Sequence, residues 1–253
     1  MKPCVLTYHS LDTSGSVISV APSLFREQMQ YLAASRIPVV PLAEIQNTPG
    51  GIALTFDDGF ENFYTQAFPV LRKLHFPATV FVVSDYCGLR NNWPSQPGMG
   101  VPSLRLMTWE QLNEISRHGI SLGAHTATHP RLSCLPARQV RQELVRCRET
   151  LQDRTGIQAE TLAYPYGDSN AEVRKIAAEF FAAAFGTRPD YLTGQNPAMN
   201  LPRIDVYYLR QRLWFESVRK VQGQVYVAAR RSLRALRSHG FSSAGQRPML
   251  QKG

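Results

Sequence analysis

No run of about 18 consecutive apolar residues occurs in the 253-residue sequence, so no membrane-crossing helix is expected. The first nine residues, Met1 to His9, lack the apolar stretch of a signal peptide and read as a first buried strand. A cytoplasmic location is the expectation from this. Export stays open if the sequence is a trimmed piece of a longer chain. Cys4, Cys87, Cys134 and Cys147 form no CxxC pair, which gives no sign of a zinc ribbon or a dithiol redox motif; they read as reduced thiols. No GxGxxG follows an early strand, which argues against a dinucleotide-binding sheet. Gly and Pro, 17 each, carry no triplet period, so the chain is not fibrous. With 43% apolar and only 19% charged residues, it is not a disordered chain either.

What charge there is lies unevenly. The net charge is +9, yet Met1 to Pro202 is neutral. From Arg203 to Gly253, eleven basic residues face only Asp205 and Glu216, so the whole excess sits there. This segment has a helical period of about 100° per residue: Val218, Val221, Val225, Ala229 and Leu236 share one stripe, and Arg219, Lys220, Arg230, Arg231, Arg234 and Arg237 share the opposite arc. Two readings fit. The helix packs its apolar stripe on the body and solvates its arginines, or it lies on an anionic membrane as a peripheral contact, at the inner membrane surface for a cytoplasmic protein. A basic face without a nucleic-acid reading motif gives no reason to expect nucleic acid. Past Gly240 the Ser/Gly/Gln/Pro-rich end is expected to fray.

Ahead of this segment, strand and helix patterns alternate. Strands are predicted at 5–8, 38–40, 52–56, 78–83, 121–124, 161–164 and 182–185. Helices are predicted at 22–35, 63–74, 108–118, 136–154 and 170–179, the third opened by a Thr108–Gln111 capping box. Residues 88–103, with Pro94, Pro97 and Pro102, read as a long loop. The fold class is therefore α/β, a distorted (β/α) barrel of about seven units with a C-terminal basic helix. In such barrels the chemistry sits on loops after the strands.

Those loops carry the candidates. Asp57 and Asp58 end the strand Ile-Ala-Leu-Thr-Phe. Adjacent carboxylates there can divide cation binding from base catalysis, or simply form an Asp-Gly turn. His125 and His129, four apart after an apolar strand, can meet one metal ion or stand as two surface histidines. Together with Asp58 they would form a two-His, one-carboxylate set that leaves coordination positions open. His9 ends the first predicted strand and so falls on the same face. His75 and His118 fall at helix ends and read as structural. Among the aromatics Trp93, Trp109, Tyr166 and Trp214, Trp93 in the long loop is the first candidate to stack on a sugar, and Trp109 reads as packing.

Thr55-Phe56-Asp57-Asp58-Gly59 followed by His125-Thr126-Ala127-Thr128-His129 resembles, at every fixed position, the two leading motifs of the polysaccharide deacetylases with a NodB homology domain, carbohydrate esterase family 4. The resemblance covers roughly residues 3–206 and implies a domain over 1–206, followed by the basic helix and tail over 207–253. It implies Asp57 as catalytic base and Asp58, His125 and His129 as metal ligands. Two departures stand out. Ala163, in Ala163-Tyr164-Pro165-Tyr166-Gly167, replaces the arginine of the family's third motif, and the last-motif histidine is missing. Arg203 is a candidate replacement for the guanidinium, or else a surface or structural arginine. His9 is the candidate catalytic acid, with a structural role as the alternative. Pro165 and Tyr166 are the candidate oxyanion and substrate contacts. An N-terminal Tyr-His together with Ala-Tyr-Pro-Tyr-Gly is similar to the biofilm and exopolysaccharide deacetylase branch.

The activity so implied is metal-dependent removal of N-acetyl groups from an N-acetylhexosamine-containing glycan. Zinc is the expected ion, and the ligand types also suit Co2+, Ni2+ or Fe2+. The alternatives are an O-acetyl esterase, a deacylase of a lipid-linked sugar, and a silent carbohydrate-binding protein.

Overall fold

A computed structural model describes residues 1–96 and 100–242, with side chains through Ala235. Pro97, the side chains of Leu236, Arg237 and His239, and the end past Ser242 lie outside the described residues. Strands form where the chain is apolar on both faces: β1 (Cys4–Tyr8), β2 (Ile52–Phe56), β3 (Ala78–Val82), β4 (Ile120–Ala124), β5 (Thr161–Ala163), β6 (Ala183–Phe185) and β7 (Ile204–Asp205). All pair in parallel, in the order β6-β5-β4-β3-β2-β1-β7. Such two-sided burial is what a parallel sheet covered by helices requires.

The sheet curls, and one short segment bridges its ends. Leu201 pairs with Phe185 of β6, and three residues later Ile204 pairs with Leu6 of β1. Residues 201–205 thus run along the seam of the barrel. This strand was not expected; two residues are too few for any periodicity to register. The predicted 38–40 strand is reduced to a single bridge between Val39 and Ile52.

Helices α1 (Pro22–Ala34), α2 (Phe68–Leu74), α3 (Trp109–Arg117), α4 (Ala137–Thr155) and α5 (Ala171–Ala177) follow β1 to β5 in turn. The capping box of α3 is present in both directions: Gln111 N–H donates to Thr108 Oγ1, and Thr108 N–H donates to Gln111 Oε1. The helix expected from Phe63 begins as a wide turn, Phe63–Ala67, in which Phe68 N–H reaches Phe63 O. Pro69 explains this, because it has no N–H to continue the ordinary ladder. His75 and His118 cap α2 and α3, as their positions suggested.

Alternation in the strands decides which side chains meet the barrel axis. Leu6, Tyr8, Leu54, Phe56, Val80 and Leu122 join the large core beneath the helices, whereas Val5, Ala53, Phe81, Ala163, Phe185 and Leu201 form a second, interior cluster. Continuing the interior parity past the strand ends selects His9, Asp57 and His125. All four cysteines are free; burial pushes the Cys4 and Cys147 thiols up to about 12, which makes them inert.

The C-terminal segment folds as α6 (Arg212–Glu216) and α7 (Val221–Ser242), and it corrects one expectation. Of the apolar stripe only Val218, ahead of α7, packs on the body: Val221 and Val225 are 75% and 64% exposed. The opposite arc packs instead. Gly223 sets this rotation, since a Cβ there would lie 2.0 Å from Ser217 O, so only this face can approach the α6–α7 junction. Val227 is buried on that side, and Tyr226 stacks on Trp214 at 4.1 Å. Arg231 bonds Asp190, and Arg234 donates to Thr187 O and Oγ1.

Candidate active site

Two loops at the C-terminal ends of β2 and β4 bring Asp58, His125 and His129 together. Asp58 Oδ1 stands 3.3 Å from Nε2 of each histidine, and all three side chains are buried. His125 Nδ1 is 2.7 Å from the Ala163 carbonyl, which can only accept, so Nδ1 carries the proton and Nε2 keeps its lone pair. A lone pair facing a carboxylate oxygen at this distance needs a cation between them, either a proton or a metal. Ligands about 2.0–2.1 Å from a tetrahedral ion stand about 3.3–3.4 Å apart; both Asp58–histidine separations have this value, and all three donor atoms lie within 4.8 Å of one another, a set that could hold a divalent ion. Asp58 keeps its carboxyl well below the usual range: burial opposes this, and bonding and charge from the two histidines outweigh it. Burial lowers His129, whereas Asp58 and Asp57 raise His125 against its own burial.

The local backbone is bent to make this possible. Asp58, Thr126, His129 and Tyr166 are four of the six non-glycine residues with positive φ among the described residues. Such conformations are costly and persist where the surroundings hold them. Here Thr126 Oγ1 accepts from His129 N–H at 3.0 Å. Thr128 donates through both N–H and Oγ1 to Glu143 on α4. The ring of His129 lies between Trp93, at 4.2 Å, and Tyr166, at 4.7 Å.

Asp57 points the other way. Its two oxygens accept from Nη1 and Nη2 of Arg203, both at 2.7 Å, and Arg203 Nε donates to Gly186 O at 3.1 Å. Arg203 is 1% exposed. It sits between the two pairings of the seam segment, so its guanidinium reaches the axis from a different strand than position 163 would have used. Burial alone would raise the Asp57 carboxyl; Arg203, with His125 and His9, outweighs it and holds the group below its usual value. His9 Nε2 is 3.8 Å from Asp57 Oδ2, and the imidazole is partly open.

His9, Asp57, Asp58, His125 and His129 line a pocket of about 200 Å³. Pro165 is buried in the turn after β5, and Tyr166 donates its hydroxyl to Ser95 O at 2.9 Å. Gly167 is pressed so close to the next loop that a Cβ would lie 2.1 Å from Thr187 Oγ1. Trp93 departs from its expected use. Its indole is 3% exposed, edge-on to Tyr86 and stacked on His129, so it forms a wall of the pocket rather than an open platform for a sugar. Trp109 packs on the core and Trp214 on Tyr226.

Sequence reasoning missed several contributors. Asp205 aligns with Thr7 on β1, and burial pushes its carboxyl up against the pull of His9. Two polar residues at alternate positions, 203 and 205, are too few for a strand facing the axis to be read from them. Val17, Ile18 and Val101 at the pocket mouth carry no local signal at all.

The chain matches the family model described as "Polysaccharide deacetylase" over residues 45–184, just over half its length. It is 27% identical over 181 residues to YxkH of Bacillus subtilis, spanning 68% of this chain and 60% of that protein. It is 22% identical over 247 residues to the poly-β-1,6-N-acetyl-D-glucosamine N-deacetylase of Escherichia coli K12, spanning 77% of this chain but only 37% of the enzyme. Among solved structures, IcaB from Ammonifex degensii superposes with a TM-score of 0.71 at 23% identity, covering 87% of this chain and 96% of that one, which shows a shared fold.

Proposed function

The chain belongs to the polysaccharide deacetylase family, and from that premise we propose that it hydrolyses N-acetyl groups on an N-acetylhexosamine-containing glycan, releasing acetate. The observation that carries this reading is the division of labour between adjacent carboxylates: Asp57 clamped by Arg203, Asp58 facing two imidazoles. Asp58, His125 and His129 would hold a divalent ion, zinc in our reading. When bound, such an ion supplies Lewis acidity toward a carbonyl and toward water.

The remaining steps fall to the chain's own groups. Asp57, kept ionised, accepts a proton from the attacking water as its oxygen bonds to the acetyl carbon. The backbone N–H of Tyr166 donates to the developing oxyanion, with the turn held by Pro165 and by the Tyr166 hydroxyl bond to Ser95. His9 gives a proton to the nitrogen as the C–N bond breaks, leaving acetate and a free amine. Acetate release from an N-acetylglucosamine oligomer, lost with chelator and restored by zinc, tests the reading. Sugar binding without acetate release in the metal-loaded protein would point to a silent binder instead.

The acid role has its own signature. An amide nitrogen departs only when protonated, whereas an ester with a good leaving group departs unaided. His9→Ala is therefore expected to keep metal content and slow amide hydrolysis by about a hundredfold or more. Hydrolysis of an activated acetate ester should fall far less. Equal losses on both substrates would assign His9 to positioning.

A further inference from the structure

Among the described residues, seven large apolar side chains are strongly exposed, and four of them fall within 21 positions of α6 and α7: Leu213 at 68%, Val221 at 75%, Val225 at 64% and Leu233 at 51%. Val221, Val225 and exposed Ala229 lie along one line of α7, because its Gly223–Val227 side is held against the body. The stripe is thus formed in advance and turned outward. Exposed Lys220 stands immediately before it, and Arg231 and Arg234, held to Asp190 and Thr187, lie on the side toward the body. They belong to the segment that carries the entire +9 net charge.

We infer that this face of α7 docks on an anionic lipid surface. Apolar side chains entering the headgroup boundary, with cations beside them at phosphate level, are the physical requirements of an interfacial helix. The same charge opposes the obvious competitor: a second copy would bring like-charged segments together. No helix of the described residues is long and apolar enough to cross a membrane, so the contact is peripheral. It also has a geometric consequence. Arg234, on the body-facing side of α7, binds Thr187, which lines the pocket, so docking through the outward stripe leaves that contact intact. The inference stands on this surface alone and does not depend on the deacetylase reading.

Flotation of the full chain with vesicles tests it. The protein should float with phosphatidylglycerol mixed into phosphatidylcholine, not with phosphatidylcholine alone, and rising salt should release it. The double variant Val221→Asp/Val225→Asp should lose at least about tenfold in partitioning. Its circular dichroism and thermal unfolding should match the parent, since both positions are exposed. Absence of flotation with the anionic vesicles overturns the inference. So does equal flotation of the variant, which would leave charge alone as the cause. A wild-type dimer that the double variant splits would assign the stripe to self-association.

Discussion

On the proposed function, replacing His125 and His129 together by alanine is expected to abolish acetate release and the binding of a divalent ion. Losing an outer group that merely orients a ligand weakens metal binding by about 10–100-fold, so losing two direct donors should exceed that. Elemental analysis of the purified variant reads the metal directly, without reference to turnover. Asp58→Asn should move in the same direction. The fold should persist, because the core beneath the helices does not include these side chains; circular dichroism checks this. Undiminished metal content in the double variant would remove the ion from this cluster altogether.

Arg203→Leu is expected to damage both stability and turnover. Asp57 is 2% exposed and gives both oxygens to Arg203, so the substitution leaves a buried carboxylate without its counter-charge. Breaking a buried pair from one side costs about 3–5 kcal/mol, measurable by denaturant unfolding. Removing both charges, in Asp57→Asn/Arg203→Leu, should recover much of that loss, which a simple packing defect would not allow. The pH dependence has a definite sign. The folded-state Asp57 sits below its ordinary value, so the pair's contribution is full above the usual carboxylate range and fades as pH falls through and below it. The gap between wild type and Arg203→Leu should therefore close on acidification. Turnover should fall by about a hundredfold or more at neutral pH in either single variant. A gap that holds constant down to strongly acid pH would mean that Arg203 acts only by filling space.

What could be read from the sequence follows the range of the physics. Strand cores announce themselves by unbroken apolar runs, and Thr108 with Gln111 announces a helix start, because both signals are confined to a few neighbours. Asp57-Asp58 and His125 to His129 were visible as compact groups at strand ends. The pairing of Arg203 with Asp57 spans 146 positions, and nothing local distinguishes it from a surface arginine. It stands immediately before β7, a strand of two residues, too short for alternation to speak. The sequence left two rotations of α7 open for a related reason. Hydrophobicity favours burying the valine stripe, but a single steric fact, the 2.0 Å approach at Gly223, decides which face meets the body. Trp93 was placed correctly in a loop, while its burial behind His129 depends on contacts from three other segments.

The seam segment also imposes an order in time. A ribosome delivers His9, Asp57, Asp58, His125 and His129 well before residues 201–205 emerge. Until then the nascent chain holds a carboxylate pair with no guanidinium, inside a sheet whose first and last strands are not yet bridged. The arrival of Leu201, Arg203 and Ile204 joins the strands and gives Asp57 its guanidinium partner in a single event.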